Sequence, residues 1–346
     1  MTSVVRPRTE RSMPSAQKFP RPQDSRVRGP WQHWRRWALG LLALSCSVPG
    51  LAADAGDSTP LRRIGVSVTD LGNPFFVRIA RSVETAAQRL LGPEVRVSVT
   101  SSAYDLQRQQ AQIDDFIRKK VGLIILTAVD PIDIETAVRK AQAAGIRVIA
   151  VDVRARGADA TISTDNVQAG ELACAHIAER LHGRGKVVIL NGPRVSAITD
   201  RVSGCLEKLA QFPGIQVLSS ERDGGGSVEG GFSKMTDLLT LHPRIDAVFA
   251  INDPTAIGVE QAARQAGRSE FVIVGVDGAP RVKARLKDAD SLIVASVAQL
   301  PDVQAEKAVE YGLALIRGKP LPKTVELIPA VLLTRDSPQL SSGWVD

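Results

Sequence analysis

The sequence predicts an α/β protein: two doubly wound parallel-sheet lobes joined by a multi-crossing hinge, with a ligand cleft between them. Three observations carry this. The chain says nearly the same thing twice, at residues 123–152 (LIILTAVDPIDIETAVRKAQAAGIRVIAVD) and 248–277 (VFAINDPTAIGVEQAARQAGRSEFVIVGVD). Each copy runs from an apolar strand through an Asp-Pro (Asp130-Pro131, Asp253-Pro254) and an Ala-rich helix to a strand ending in Asp152 or Asp277. Such a strand–helix–strand is a crossover unit of a parallel sheet. The strands VVIL, AVFAI and FVIVGV are continuous apolar runs rather than alternating ones, as parallel strands covered on both faces require. Finally, 346 residues suit two domains.

The elements follow in order. After a polar link at 54–60, residues 64–69 read as a strand and 74–91 as a helix, with Asn73 placed to cap it and Pro74 in its first turn. Strands at 95–100, 123–127 and 148–153 follow, connected by helices at 106–119 and 132–144. The pattern restarts after Asp165-Asn166 with a helix to Leu181, then strands at 187–191, 215–219, 247–251, 271–277 and 292–299. The chain is expected to cross between lobes near Thr164-Asp165, after Gln299-Leu300 and near Ile328-Pro329. Several short crossings make a hinge rather than a tether. The first lobe is therefore 62–164 plus 300–327, and the second 165–299 plus 328–346. The glycine-rich stretch 222–231 reads either as a mobile loop or as backbone brought close to a ligand.

Residues 1–53 hold nine Lys/Arg against Glu10 and Asp24, which accounts for the whole formal charge of +7. The remainder is neutral, which argues against a surface that tracks nucleic-acid phosphates. This leader reads as an export signal, cleaved near Ala53–Ala55: Arg35-Arg36, an apolar run from Trp37 to Leu44, a Pro49-Gly50 breaker, then small residues. The run is too short for a permanent membrane anchor. Met13 is an alternative start. A twin-arginine signal at Arg35-Arg36 and a lipid-bearing Cys46 stay open, although the flanking residues fit neither well. Cys174 and Cys205 fall on predicted helices without framework spacing and read as two small buried hydrophobes, while export leaves a disulfide open.

No phosphate loop, dinucleotide glycine spacing or nucleophile elbow occurs. His176, His182 and His242 have no second metal ligand at usable spacing. The expectation is a non-enzymatic protein without cofactor or metal.

What the chain does carry is a set of polar and aromatic residues at strand ends, where ligands of open parallel sheets sit. Phe75 and Phe76 stand beside Asn73 at a strand-to-helix turn and suit a flat ligand with polar edges, or else staple the helix to the sheet. Asp152 and Asp277 can each accept from two hydroxyls. Asn252 and Gln299 both donate and accept. Asp253 reads as a helix cap.

These residues resemble the periplasmic sugar-binding proteins of the ribose-binding type, the type I substrate-binding components of ATP-binding-cassette importers. The resemblance spans about 62–335 and rests on NPFF at 73–76, STDN at 163–166, INDPTAIG at 251–258, VGVDG at 274–278 and AQLPD at 298–302. It implies a periplasmic monomer that closes its hinge on a sugar or polyol and hands it to an inner-membrane permease. A receptor handing occupancy to a chemoreceptor or sensor kinase is the alternative. It implies ligand contacts at Asn73, Phe75, Phe76, Asp152, Asn252, Asp277 and Gln299, with Thr127, Thr164 and Thr199 as further candidates. A lac-repressor-type regulator would need a helix-turn-helix where this chain has its leader.

The departures bear on the ligand. The family's ribose binders carry arginines where this chain has Val153 and Thr199, an aromatic where it has Gly224–Gly226, and an Asn at Thr127. The cleft is thus expected to lack two guanidinium forks, with Arg154, Arg156 or Arg194 as possible substitutes. Ribose itself is therefore doubtful, and a different pentose or hexose, a polyol or a small furanose-like ligand is an equal candidate.

Overall fold

The computed structural model describes residues 61–341; the leader, its apolar run and its cleavage point lie outside them. Helices separate the first ten strands, except between the fourth and the fifth. These strands are β1 (Arg63–Val68), β2 (Arg96–Ser101), β3 (Leu123–Leu126), β4 (Arg147–Val151), β5 (Ala160–Thr164), β6 (Arg184–Leu190), β7 (Gly214–Ser219), β8 (Ala247–Ala250), β9 (Val272–Asp277) and β10 (Ile293–Ala298). Two last strands, β11 (Val325–Ile328) and β12 (Val331–Thr334), go one to each sheet. The orders are β11-β5-β4-β3-β1-β2 and β12-β10-β9-β8-β6-β7. All pairs are parallel except β12 with β10. The two sheets have the same order, and the repeated segments are their central units, β3 with β4 and β8 with β9.

The helices are α1 (Pro74–Leu91), α2 (Leu106–Arg118), α3 (Glu135–Ala143), α4 (Asn166–Arg180), α5 (Ser196–Leu209), α6 (Val228–Leu241), α7 (Asp253–Gln265), α8 (Pro280–Lys287) and α9 (Pro301–Ile316). In the first lobe α1 and α9 bury Ile64, Val66, Ile125 and Ile149 on one face. Ile124, Leu126 and Val148 meet α2 and α3 on the other. In the second lobe α4 and α5 pack on one face and α6, α7 and α8 on the other. Burial on both faces is why the central strands β3 (LIIL) and β8 (AVFA) are apolar at every position. The chain passes between sheets after β5, after β10, and between β11 and β12.

Two local differences from the sequence reading have physical causes. The helix expected from 132 begins at Glu135, because Asp130 Oδ1 accepts from the backbone N–H groups of Ile132 and Asp133 at 2.7 and 2.8 Å and holds 131–134 as a turn. Cys174 and Cys205 are not two independent hydrophobes; they form a disulfide, with Cα atoms 5.1 Å apart. A Cβ on Gly170 would lie 1.9 Å from the Arg201 carbonyl oxygen, and one on Gly204 2.1 Å from that of Val167. The α4 and α5 backbones therefore touch, which brings the two sulfurs together. Nothing in the linear spacing announces that contact.

Candidate ligand-binding cleft

The cleft is assembled from strand ends and helix starts. Asp152 directly follows β4 and Asp277 ends β9, one in each lobe, and both are buried. Both have positive φ, 68° and 137°. Non-glycine backbone in this region is strained, and such strain concentrates where side chains must be aimed for function.

Asn73 caps α1, its Oδ1 accepting from the Phe75 N–H at 2.9 Å. That cap sets Phe75 and Phe76 in the first turn, edge to face, with ring centroids 5.4 Å apart. Asn252, not Asp253, caps α7: its Oδ1 accepts from the Thr255 N–H at 3.0 Å, and its Nδ2 donates to the Gly226 carbonyl at 2.9 Å. Asp253 was expected in that role. It instead accepts from Ser296 Oγ (2.6 Å) and the Ala279 N–H (2.7 Å), bracing the turn after Asp277. Burial, with Asp277 nearby, pushes its carboxyl well above the usual carboxylate range. Gln299 donates from Nε2 to Asp277 Oδ1 at 2.7 Å.

Asn73, Phe75, Phe76, Asp152, Asn252, Asp277 and Gln299 all line one cavity between the lobes. The Gly226 backbone lines it too, with φ 67°, so the second reading of the glycine-rich stretch is the one the geometry favours. The three further candidates do not line it. Thr127 is buried, with its backbone bonded to Ser67 and Gln109. Thr164 stands behind Gln299, donating to its Oε1 at 2.6 Å. Thr199 is exposed on α5, its hydroxyl turned to the Ser196 carbonyl.

Sequence reasoning missed Arg201, Tyr104 and Thr69, which also line the cavity. Arg201 is 3% exposed. Its Nε donates to Asn166 Oδ1 at 2.8 Å and its Nη1 to the Ile251 carbonyl at 2.9 Å. The cleft was expected to lack two guanidinium forks unless Arg154, Arg156 or Arg194 replaced them; a guanidinium does reach it, from Arg201, two positions beyond Thr199. Its signal was the helical spacing to Gly204, which puts Arg201 on the face that meets α4. The other arginines do not serve. Arg154 is spent on Asp200 across the lobes (2.7 and 3.0 Å), Arg156 faces Glu135, and Arg194 is exposed. Tyr104 follows Ala103 in a left-handed pair (φ 51° and 58°). Burial pushes its hydroxyl up to about 12, and the charges of Asp70, Asp152 and Asp277 add to this.

Burial likewise raises Asp152 to about 7 and Asp277 to about 6, although the Arg201 charge opposes both shifts. Asp152 Oδ1 is buried without a hydrogen-bond partner. A buried acceptor left unmade is costly, and here it faces a cavity. The arrangement can do one thing well: enclose a small polar molecule that supplies the missing donors. Among the described residues no cluster of three or more His, Cys, Asp or Glu could hold a metal.

The profile of the periplasmic binding protein domain matches residues 64–320 of this chain. The chain is a periplasmic binding protein. Its family carries ligands without chemistry and works outside the cytoplasm. This binding protein is 32% identical over 265 residues to the ribose import binding protein of Bacillus subtilis (strain 168), covering 76% of this chain and 84% of that one. It is 29% identical over 305 residues to the xylitol-binding protein of Mycolicibacterium smegmatis, covering 87% and 84%. Its fold matches an ABC transporter periplasmic solute-binding protein of Actinobacillus succinogenes 130z, solved with D-allose. The TM-score is 0.73 at 28% identity, over 80% of this chain and 98% of that one.

Proposed function

We propose that this periplasmic binding protein captures a small sugar or polyol between its lobes and delivers it to an ATP-binding-cassette importer. The observation that carries the reading is the orphaned carboxylate oxygen, Asp152 Oδ1, in a cavity that both lobes complete. Asn73, Phe75, Phe76, Asp152, Asn252, Asp277 and Gln299 contact the ligand, and Arg201 joins them. Phenyl faces pack on ligand C–H groups while the carboxylates and amides take its hydroxyls.

The lobes move as 62–164 plus 300–327 against 165–299 plus 328–346. An open form takes the ligand on one lobe, and contacts made only on closure stabilise the closed form. The Arg154–Asp200 ion pair and the bond from the Arg154 N–H to Ser196 Oγ (2.8 Å) join the lobes in that form. The permease reads the closed pair of lobes. The working form is a monomer released by cleavage near Ala53–Ala55.

The test is a thermal-shift panel of pentoses, hexoses, polyols, inositols and furanoses on purified residues 54–346. A ligand bound only by the folded state raises the melting temperature in proportion to ln(1 + [L]/Kd). A concentration-dependent rise with at least one sugar or polyol is expected. No rise with any would refute the reading.

A further inference from the structure

We infer that Tyr104 is a specificity-determining residue of the cleft, an aromatic face that favours a cyclic sugar or cyclitol over the matching open-chain polyol. The inference rests on the sugar-or-polyol reading above and narrows its ligand class.

Tyr104 sits in the short turn from β2 to α2, and that turn is fixed at both ends. The Ser102 N–H donates to the Val68 carbonyl at 2.9 Å, and Asp105 caps α2 by accepting from the Arg108 N–H at 3.0 Å. Between them Ala103 and Tyr104 are both left-handed, and the Tyr104 N–H donates to the Thr69 carbonyl at 3.2 Å. Glycine or asparagine would make such a turn with less strain, whereas a bulky side chain there is an outlier. The turn gives no reason for a tyrosine.

Core packing gives none either. Tyr104 is 39% exposed and belongs to none of the apolar clusters formed by the described residues. Phe75 and Phe76, by contrast, are 3% and 7% exposed and built into the first-lobe core. What Tyr104 does touch is the cavity. It lines the cavity with Thr69, its hydroxyl reaches the Thr69 side chain, and the charges of Asp152 and Asp277 act on that hydroxyl. The ring therefore runs from solvent at the rim to the polar groups inside. Strained backbone that no core packing offsets marks a side chain aimed for function.

All three aromatics of the lining come from the first lobe, and the second lobe adds none. The flat surface offered to a ligand is therefore one-sided, and Tyr104 is the part of it not locked into the core. An aromatic face holds a ligand through a row of C–H groups. A sugar or cyclitol ring presents that row ready-made, while an open-chain polyol must freeze several rotatable bonds to do so.

The experiment is isothermal titration of the mature chain with matched ring and open-chain compounds. These are D-ribose against ribitol, D-xylose against xylitol, D-galactose against galactitol, and D-glucose and myo-inositol against D-glucitol. Where a pair binds, the cyclic member should bind about tenfold tighter or more. Tyr104→Asn removes the ring and keeps a residue that tolerates the left-handed backbone. Without ligand it should melt no lower than the parent; it should bind the cyclic member more weakly and lose most of the ring preference. Tyr104→Phe keeps the ring and should keep the preference. If the open-chain member is as tight in every binding pair, the inference is overturned while the sugar-or-polyol reading stands. The same follows if Tyr104→Asn keeps the full preference or melts well below the parent, or if Tyr104→Phe loses the preference. A panel compound that binds when no member of these pairs does also overturns the inference alone. No binding by any compound, in the pairs or in the panel, overturns both.

Discussion

Replacing Thr164 by Val tests whether the first hinge crossing holds the cleft in shape. Thr164 ends β5 and is 1% exposed. Its hydroxyl donates to Gln299 Oε1 at 2.6 Å and accepts from Gln304 Nε2 at 2.8 Å. Gln299 then donates to Asp277 at 2.7 Å. One hydroxyl therefore ties α9, two chain crossings and a cleft carboxylate together. Valine keeps the shape and deletes both bonds, stranding one buried acceptor and one buried donor. Each stranded group costs about 1–3 kcal/mol. The methyl that replaces the hydroxyl returns about 1 kcal/mol. The expected loss is about 1–5 kcal/mol in urea unfolding of the ligand-free mature chain, with the denaturant slope unchanged. Thr164→Ser keeps both bonds and loses a methyl, so it should cost about 1 kcal/mol. A Val variant within about 0.5 kcal/mol of the parent, or a Ser variant as damaged as Val, would refute the reasoning.

Three further outcomes are expected. Asp277→Ala should weaken binding of the ligand found by the panel at least about tenfold. Calorimetric affinity checks this, and an unchanged affinity removes Asp277 from the site. Opening the Cys174–Cys205 bridge, by reduction or by the Cys174→Ala, Cys205→Ala double variant, should cost about 3–4 kcal/mol for a separation of 31 residues; a loss under about 1 kcal/mol contradicts this. The third concerns pH. Burial raises Asp152 to about 7 and Asp277 to about 6 in the folded chain, against 3.8 for an ordinary aspartate. Between those limits the folded chain holds more protons than the unfolded one, so stability falls as pH rises, by a few kcal/mol in all. Ligand-free protein should melt higher at about pH 5 than at about pH 7.5, and the opposite trend in a melting series would refute the assignment.

Much of the fold was legible because the central parallel strands β3 and β8 are apolar at every position and the helices begin with recognisable caps. Asn73 and Pro74 marked α1 in this way. The repeat exposed both Asp152 and Asp277 before any pairing was known. Three strands were not read: β5, β11 and β12. The first, ATIST, is polar in sequence yet buried throughout, because sheet neighbours and α9 cover it. The other two are short edge strands with half of their surface in solvent. The cap at α7 was assigned to Asp253 because Asp and Asn are equivalent caps in sequence. Only the position of Ser296 and the Ala279 N–H drew Asp253 inward and left Asn252 as the cap.

The sequence by itself determined what local rules can encode: two α/β lobes, their helix starts, and the acids, amides and aromatics at strand ends. These follow from periodicity and from the alternation of strand and helix, which need no knowledge of what lies across the fold. Tertiary structure alone decided which of those residues share a cavity. It brought Arg201 in from α5, placed Thr164 behind Gln299 rather than beside a ligand, and joined Cys174 to Cys205 where two glycines let helices touch. Each of these is a contact between residues distant in sequence. Its energy depends on burial and partner geometry, and both exist only once the chain has closed on itself.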